Sequence, residues 1–200
     1  MKKERIGLFG GTFAPPHNGH VRAVKLFLRH VRLDKVIVMP TAIPPHKVKT
    51  SADTPEQRLK MCKAAFEGIN KVEVSSYEID KGGKSYTVET LEHLTKENRT
   101  IFMLCGGDMF RSLPTWYQAE IIFSRATIVA VPRSAGELGE MKKLRDEYTE
   151  KYSAKIRIIG TNPLELSSTE IREKIEGGED ISKILPRDVI EIIKKENLYQ

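Results

Sequence analysis

Long apolar runs and closely paired cysteines are both missing from this 200-residue sequence. No stretch approaches the roughly 20 apolar residues of a membrane helix. The apolar run after the basic N-terminus, Ile6 to Phe9, is too short for the core of a signal peptide. Cys62 and Cys105 form no C-x-x-C pair, which disfavours a zinc site. We therefore predict a cytoplasmic protein with two reduced thiols and no membrane partner.

Two common nucleotide-binding signatures are also missing. The sequence has no G-x-G-x-x-G, and no Gly-Lys-Ser/Thr follows its first glycine pair, which excludes the dinucleotide fingerprint and a P-loop there. A basic surplus, 33 Lys and Arg against 27 Asp and Glu, suits a polyanionic ligand. These cations are scattered among acids, as in KKLRDEYTEKYSAK, and no basic block alternates with aromatics. A phosphorylated small molecule is therefore favoured over nucleic acid.

Short apolar segments alternate with longer amphipathic segments along the chain. The predicted strands, mostly continuous apolar runs typical of strands covered on both faces, are Arg5–Phe9, Lys35–Met39, Val72–Val74, Thr100–Leu104, Thr127–Val131 and Lys155–Ile159. The predicted helices are Val21–His30, Pro55–Glu67 with Thr54 as N-cap, Thr87–Glu97, Gln118–Phe123, Glu137–Tyr152, Ser168–Glu176 and Pro186–Asn197. This order predicts an α/β fold, a doubly wound and mainly parallel sheet with helices on both faces. We expect one domain over residues 1–200, with a helical C-terminal portion.

The unusual residues cluster in the segments that follow the predicted strands. In open sheets of this kind, ligands bind outside the carboxyl ends of the strands. These segments read GGTFAPPHNGH, PTAIPPHK, GGDMF, PRSAGE and TNPLELSSTEIR. They are therefore predicted to form the functional site.

The first of these segments has the character of an anion site. Gly10 and Gly11 allow backbone N–H groups to approach a ligand closely, and a helix starting near Asn18 would direct its positive end to the same place. His17 and His20, three residues apart, share a face of the first helical turn and can donate to phosphate oxygens. One alternative is purely structural, with one turn histidine and one surface histidine. The other is a metal pair, although no third ligand follows at helical spacing.

The last segment, LSSTEIREKI, predicts a second anion site. Ser167 or Ser168 can cap the helix that follows, which is a sufficient structural role for a serine pair. The same hydroxyl-rich helix start also carries Arg172, whose guanidinium can bind two phosphate oxygens at once. Two helix N-termini with such side chains suit a triphosphate.

These motifs carry a family resemblance. G-G-T-F-x-P-P-H-x-G-H near the N-terminus and S-S-T-x-I-R near the C-terminus resemble the nucleotidylyltransferase superfamily. Within it the chain is similar to the bacterial nicotinate-mononucleotide adenylyltransferases, through Pro44-Pro45-His46-Lys47, Ser85-Tyr86-Thr87, Gly107-Asp108, Trp116-Tyr117 and the ending LPRDVIEIIKKENLY. The resemblance spans essentially the whole chain.

The resemblance implies that ATP and nicotinate mononucleotide are joined to give nicotinate adenine dinucleotide and pyrophosphate, in NAD biosynthesis. Catalysis would consist of positioning and charge neutralisation, since the attacking phosphate is already anionic. Mg²⁺ would arrive with ATP, and no protein metal site is expected. No nucleic acid partner is implied, and the oligomeric state, a homo-oligomer included, is left open. The implied ATP-binding residues are Gly10, Gly11, Thr12, His17, His20, Ser168, Thr169 and Arg172, with His17, His20 and Arg172 as the catalytic residues.

By the same resemblance, Trp116 stacks on the pyridine ring, while Thr87 and Tyr117 offer backbone N–H groups to the nicotinate carboxylate. Asp108 accepts from ribose hydroxyls, although a helix cap or loop position would equally suit this residue. Lys47 meets the mononucleotide phosphate. The implied substrate-binding residues are Lys47, Tyr86, Thr87, Asp108, Trp116 and Tyr117, with Arg133 as a further anion contact.

Three positions depart from the family pattern. Ala14 stands where the family usually has Asp, Gly107 where it usually has Ala, and PRSAGE where it has Arg-Pro-Gly. The resemblance therefore leaves open how the loop around Ala14 is organised. Phosphopantetheine adenylyltransferases and cytidylyltransferases are the rival enzymes, and a nucleotide-binding regulator without turnover is the rival of another class.

Overall fold

A computed structural model describes residues 3–45, 52–95, 98–132, 134, 136–160 and 166–200. The strands are β1 Glu4–Gly11, β2 Lys35–Pro40, β3 Val72–Val74, β4 Arg99–Gly106, β5 Ala126–Val131 and β6 Ile156–Ile158. The helices are α1 Asn18–His30, α2 Pro55–Phe66, α3 Tyr77–Lys81, α4 Thr87–Thr95, α5 Gly107–Ser112, α6 Ala119–Arg125, α7 Glu137–Tyr152, α8 Ser168–Glu176 and α9 Arg187–Lys195. A single 3-10 turn, Leu113–Thr115, follows α5.

The six strands form one sheet in the order β3-β2-β1-β4-β5-β6. The pairs β1–β4, β4–β5 and β5–β6 are parallel, with Ile6 opposite Ile101 and Met103 opposite Ile128. This order, with its reversal between β1 and β4, is that of a doubly wound sheet. The predicted α/β fold is confirmed, as are the two C-terminal helices. Because ligands bind such sheets beyond the carboxyl ends of strands at a reversal, the segments after β1 and β4 are of first interest.

The central strands are buried along most of their length, which explains why they read as continuous apolar runs rather than alternating ones. Gly7 in β1 is required by this packing. A Cβ at Gly7 would lie 2.6 Å from the Phe27 ring of α1 and 2.9 Å from Leu33. The strand and the helix approach each other too closely there for any side chain.

Two predicted helix starts have the expected caps. Thr54 accepts a hydrogen bond from the backbone N–H of Gln57, and the Gln57 side chain accepts from the N–H of Thr54, which completes a capping box before α2. Ser167 is the cap of α8, because its Oγ accepts from the N–H of Thr169 at 3.2 Å. Of the two serines considered for that role, the structure selects Ser167.

Two short helices differ from expectation. The sequence predicts a loop at GGDMF, residues 106–110, yet Gly106 ends β4 and α5 begins directly at Gly107. Helix α3 has only five residues, Tyr77–Lys81, too few for a detectable helical period.

The chain divides into two compact units. The first unit comprises Met1–Phe9, Ala23–Ile37 and Tyr86–Glu165, and the second comprises Gly10–Arg22, Val38–Ser85 and Leu166–Gln200. The expectation of a single domain stays a prediction. No helix within the described part of the chain is both long and apolar enough to cross a membrane.

Candidate active site

The segment after β1 lies in the second unit. Gly10 and Gly11 are the last residues of β1, and Thr12 follows directly. The N–H of Thr41, one residue beyond β2, donates to the Gly11 carbonyl at 3.0 Å. A Cβ at Gly10 would meet only the Met39 carbonyl, at 4.0 Å, so the fold itself leaves room for a side chain there. Packing within the fold therefore does not require glycine at position 10, whereas a ligand that approaches this backbone closely would require it.

His17 and His20 are stacked on each other. Their ring centroids are 3.7 Å apart with an interplanar angle of 24°, and His17 is buried. The backbone N–H of His17 donates to Nδ1 of His20 at 3.1 Å. Since Nδ1 of His20 is the acceptor, the proton of the neutral ring is on Nε2, which makes Nε2 a donor. A donor of this kind is the group that a phosphate oxygen requires.

Neighbouring residues hold this histidine pair in place. The ring of Phe13 packs edge-on against His20, with a centroid separation of 5.0 Å. A Cβ at Gly19 would lie 2.9 Å from Cε1 and Nδ1 of His17, so any other residue there would displace the buried ring. The glycine of H-N-G-H therefore has a packing reason.

The start of α8 also contacts this loop. Ser168 Oγ donates to the Pro15 carbonyl at 3.1 Å, and Arg172 Nη1 donates to the Ala14 carbonyl at 2.8 Å. Arg172 also donates to the Ser168 carbonyl and, through Nη2, to Thr169 Oγ1, each at 3.2 Å. The second unit thus brings together the histidine loop and the predicted α8 residues.

The backbone at Ala14, where the family usually has aspartate, contacts α8. Its side chain is buried at 4% exposure, and its carbonyl accepts from Arg172. The adjacent Pro15 carbonyl accepts from Ser168. Backbone carbonyls rather than a carboxylate therefore connect this loop to α8.

The predicted substrate-binding residues Tyr86, Thr87, Asp108, Trp116 and Tyr117 belong to the first unit. Thr87 is the first residue of α4, so its N–H has no acceptor within the helix. The rings of Tyr86 and Tyr117 are 4.8 Å apart, and Tyr117 is 53% exposed. Lys47 and Arg133 lie outside the described residues.

Trp116 follows the 3-10 turn, and its indole Nε1 donates to Ser112 Oγ at 3.2 Å. The side chain is half-buried and lines a cavity of about 360 Å³. The other lining residues are Pro114, Gln118, Ala119, Glu120, Ile121 and Tyr152. Trp116 is therefore not a core tryptophan, and one side of it borders open space.

Asp108 is neither a loop residue nor a helix cap. It is the second residue of α5 and forms an ion pair with Arg111 Nη1 at 2.9 Å. Arg111 also binds Glu137 at 2.6 Å and Glu140 at 3.2 Å. The hydrogen bond to Glu137 is the main reason that the pKa of Arg111 is raised, so this cation is permanent.

The Glu137 carboxylate also lies close to Gly107. A Cβ there would lie 2.7 Å from Glu137 Oε2. Sequence reasoning did not single out Arg111, Glu137 or Glu140, since all three look like ordinary surface charges.

Sequence reasoning also missed three residues of the second unit, namely Asp53, Arg58 and Tyr199. Arg58 forms a buried ion pair with Asp53, and the Tyr199 hydroxyl donates to the same carboxylate. One signal was present: Arg58, Met61, Cys62 and Ala65 follow the i, i+3, i+4, i+7 spacing of a buried helix face. An arginine that is buried with such a stripe must be paired, as Arg58 is with Asp53.

Comparisons with known proteins agree with this picture. The family model described as cytidylyltransferase-like matches residues 8–174. A Clostridium tetani protein named "Probable nicotinate-nucleotide adenylyltransferase" is 38% identical over 202 residues, covering 100% of both chains. A Clostridium botulinum protein of the same name is 36% identical over 197 residues, covering 98% of each chain.

Among solved structures, the Plasmodium falciparum nicotinic acid mononucleotide adenylyltransferase complexed with NaAD has a TM-score of 0.77 over 98% of this chain and 97% of that chain. At 17% identity this likeness shows the fold. The family model and the two full-length relatives show more, and they confirm the resemblance found in the motifs. The chain belongs to the cytidylyltransferase-like family and, within it, to the nicotinate-nucleotide adenylyltransferases.

Proposed function

We propose that this protein transfers the adenylyl group of ATP to nicotinate mononucleotide, which gives nicotinate adenine dinucleotide and pyrophosphate. The observation that carries the proposal is the stacked histidine pair. The backbone N–H of His17 donates to Nδ1 of His20, which leaves Nε2 of His20 as a donor. The names of the full-length relatives support the choice of substrates. The NaAD bound to the Plasmodium falciparum enzyme supports the choice of product.

The proposed chemistry is a direct in-line displacement. The 5′-phosphate of the mononucleotide attacks the α-phosphorus of ATP, a new P–O bond forms, and the bond to the β-phosphate oxygen breaks with release of pyrophosphate. The attacking oxygen is already anionic, so no general base is required. The protein has to align the two phosphates and to neutralise charge on the transferring group.

His20 is the proposed donor to the α-phosphate, and His17 contacts the neighbouring phosphates. Ser168, Thr169 and Arg172 would bind the β- and γ-phosphates that leave, at the start of α8. Arg172 already donates to Ala14 and Thr169 Oγ1, and a guanidinium with five N–H donors can hold such contacts together with phosphate oxygens.

Magnesium would enter as part of the Mg–ATP substrate, held mainly by phosphate oxygens and water. Among the residues that the structure describes, no group of three or more His, Cys, Asp or Glu side chains could form a metal cage. ATP and a phosphorylated nucleoside are metabolites of the cytoplasm, which is where we place the reaction.

Most of the proposed mononucleotide contacts belong to the first unit. Trp116 would stack on the pyridine ring, and the N–H groups of Thr87 and Tyr117 would select the nicotinate carboxylate over the amide. Asp108, which is exposed and oriented by Arg111, would accept from ribose hydroxyls. Tyr86 supports Tyr117 through its ring contact, and Lys47 is proposed for the mononucleotide phosphate.

The test is pyrophosphate release from Mg–ATP, with nicotinate mononucleotide, nicotinamide mononucleotide and phosphopantetheine supplied in separate reactions. We expect rapid release with the nicotinate form, slower release with the amide and none with phosphopantetheine. Fast turnover of phosphopantetheine would contradict the assignment of nicotinate mononucleotide as the substrate. ATP binding without release in any of the three reactions would identify a regulator and contradict the proposed enzyme.

A further inference from the structure

The guanidinium of Arg58 connects the two segments that leave β1 and β2. Nη1 donates to the Thr12 carbonyl at 3.0 Å and to the Thr41 carbonyl at 2.6 Å. Nη2 donates to the Ala42 carbonyl at 2.9 Å. Thr41 in turn donates its N–H to the Gly11 carbonyl at 3.0 Å. These backbone hydrogen bonds join the nucleotide segment to the segment that leads to P-P-H-K.

Asp53 contacts the Nε atom of Arg58, and Tyr199 in turn contacts Asp53. Arg58 Nε lies 3.0 Å from Asp53 Oδ1, and the two side chains are only 4% and 0% exposed. The Tyr199 hydroxyl donates to Asp53 Oδ2 at 2.5 Å. Burial, with the hydrogen bond to Asp53 as a second cause, raises the pKa of Tyr199, so the phenol remains a neutral donor at working pH.

The backbone at Tyr199 supports a specific role for its side chain. Its φ is +62°, in the left-handed region that bulky residues rarely adopt. A conformation of this kind persists only where surrounding contacts hold it. The hydrogen bond to the buried Asp53 and the burial of the ring, which is 6% exposed, provide those contacts.

A buried ion pair alone is weak evidence for a contribution to stability, because desolvation offsets the attraction between the charges. The arrangement around Arg58 has another consequence. The three carbonyls that accept from Arg58 belong to Thr12, Thr41 and Ala42. Each of these residues lies one or two positions after the end of β1 or β2. The guanidinium thus sets the spacing of two segments on which the proposed nucleotide site depends.

We propose that Arg58 is a positioning residue for adenylyl transfer, and that Asp53 and Tyr199 orient its guanidinium. The inference rests on the proposed function, since Thr12 and the two glycines before it are the ATP contacts that we propose there. Arg58 itself touches no reacting atom. It acts by keeping Gly11 and Thr12 at a fixed distance from Thr41 and Ala42.

The chain offers a matched control in the same region. Lys60 of α2 forms an ion pair with Glu196, the residue after α9. This pair joins the same helix to the same C-terminal segment as the Arg58 network, but it is more exposed and contacts neither Thr12 nor Ala42. Glu196→Gln therefore removes a comparable tertiary contact without releasing the site segments.

The experiment compares Arg58→Lys, Tyr199→Phe and Glu196→Gln with the wild type. The full-length variants are assayed for kcat, for the KM of ATP and of nicotinate mononucleotide, and for Tm, at a temperature well below every Tm. The affinity for α,β-methylene-ATP is measured separately at equilibrium. This binding readout does not depend on turnover, so it remains informative if the proposed reaction fails in the wild type.

Arg58→Lys keeps the charge near Asp53 but cannot reach three carbonyls at once, and we expect kcat/KM for ATP to fall by about 100-fold. Tyr199→Phe removes one hydroxyl, and we expect a loss of about tenfold in kcat/KM for ATP and in analogue affinity. KM for the mononucleotide should change little in both variants. Glu196→Gln should stay within about twofold of the wild type in every constant.

A lower Tm for Tyr199→Phe with unchanged kcat, KM for ATP and analogue affinity would overturn the proposal, because the network would then serve stability alone. Failure of both network variants to fold would overturn it as well. Wild-type protein that binds the analogue but releases no pyrophosphate would instead contradict the proposed function, and the analogue affinities of the variants would still decide the role of Arg58.

Discussion

The backbone N–H of His17 donates to Nδ1 of His20 across 3.1 Å, and the two imidazoles are stacked 3.7 Å apart. This contact sets the tautomer of His20, since a ring nitrogen that accepts a hydrogen bond cannot carry the proton of the neutral ring. The backbone at one histidine therefore decides what the side chain of the other can donate.

Replacing His20 by alanine should lower kcat by about 10²- to 10³-fold while the protein remains folded, as expected for loss of a donor to a transferring phosphoryl group. The measurement is steady-state pyrophosphate release, with circular dichroism to verify the fold. Arg22 is exposed in the same helix, and Arg22→Ala is the control that should retain activity. Near-normal turnover in a folded His20→Ala variant would remove His20 from the mechanism.

The two glycines at positions 10 and 19 should respond differently to alanine. Gly19→Ala places a Cβ 2.9 Å from the His17 ring, so we expect a lower Tm together with lower kcat. Gly10→Ala meets only a carbonyl at 4.0 Å, so Tm should be unchanged. KM for ATP should rise, because the new methyl group would stand where we propose that the nucleotide approaches the backbone. Unchanged KM for ATP in Gly10→Ala would show that the nucleotide does not approach this backbone.

Trp116→Ala should raise KM for nicotinate mononucleotide by about tenfold and leave KM for ATP nearly unchanged, because stacking on a ring contributes roughly 1 to 3 kcal/mol. Both constants come from one set of initial-rate measurements. Tyr152 lines the same cavity and serves as a comparison, since Tyr152→Phe should keep both values. An equal rise in the two KM values would show that Trp116 packs within the protein and does not stack on the substrate.

Both thiols should be unreactive in the native protein. Burial raises the pKa of Cys105 to about 12 and raises that of Cys62 well above its usual value. Dithionitrobenzoate at pH 8 should therefore modify neither cysteine until denaturant is added, when both should react. Rapid labelling of one native thiol would contradict its burial.

The same pKa shift predicts a pH dependence of stability. Because the folded pKa of Cys105 lies above its unfolded value of about 8.5, the folded state favours the neutral thiol, and stability falls as pH rises from about 9 towards 12. Cys105→Ala should reduce this slope in the free energy of unfolding by about 1 kcal/mol per pH unit. Equal slopes in the variant and the wild type, from urea titrations between pH 9 and 10, would contradict the shift.

Much of the fold was readable from local pattern. Short apolar segments predicted all six strands to within two residues at either end. The central strands read as continuous apolar runs because strands buried on both faces admit few polar side chains, whereas β3 and β6 each carry an exposed charged residue between two apolar ones. Glu137–Tyr152 and Ser168–Glu176 were predicted with the observed bounds, and Thr54 was identified as a cap. Helices α3 and α5 were missed, since five or six residues do not complete two helical turns.

The predicted site shows a similar division. Motif spacing selected His17, His20 and the start of α8 as one group, and the second unit brings these residues to the same loop. That Arg172 and Ser168 donate to the carbonyls of Ala14 and Pro15 was not predictable, because the contacts join residues more than 150 positions apart. Their proposed phosphate contacts stay predictions.

The sequence alone was sufficient for the α/β class, the family and the candidate phosphate-binding residues, since hydrophobic period and short motifs are local properties of a chain. Tertiary structure was required for the tautomer of His20, the room at Gly10 and the carbonyl contacts of Arg58. These depend on the distances and directions of atoms brought together from remote segments. A hydrogen bond exists only when donor and acceptor meet at the right distance and angle, and no linear pattern encodes that geometry.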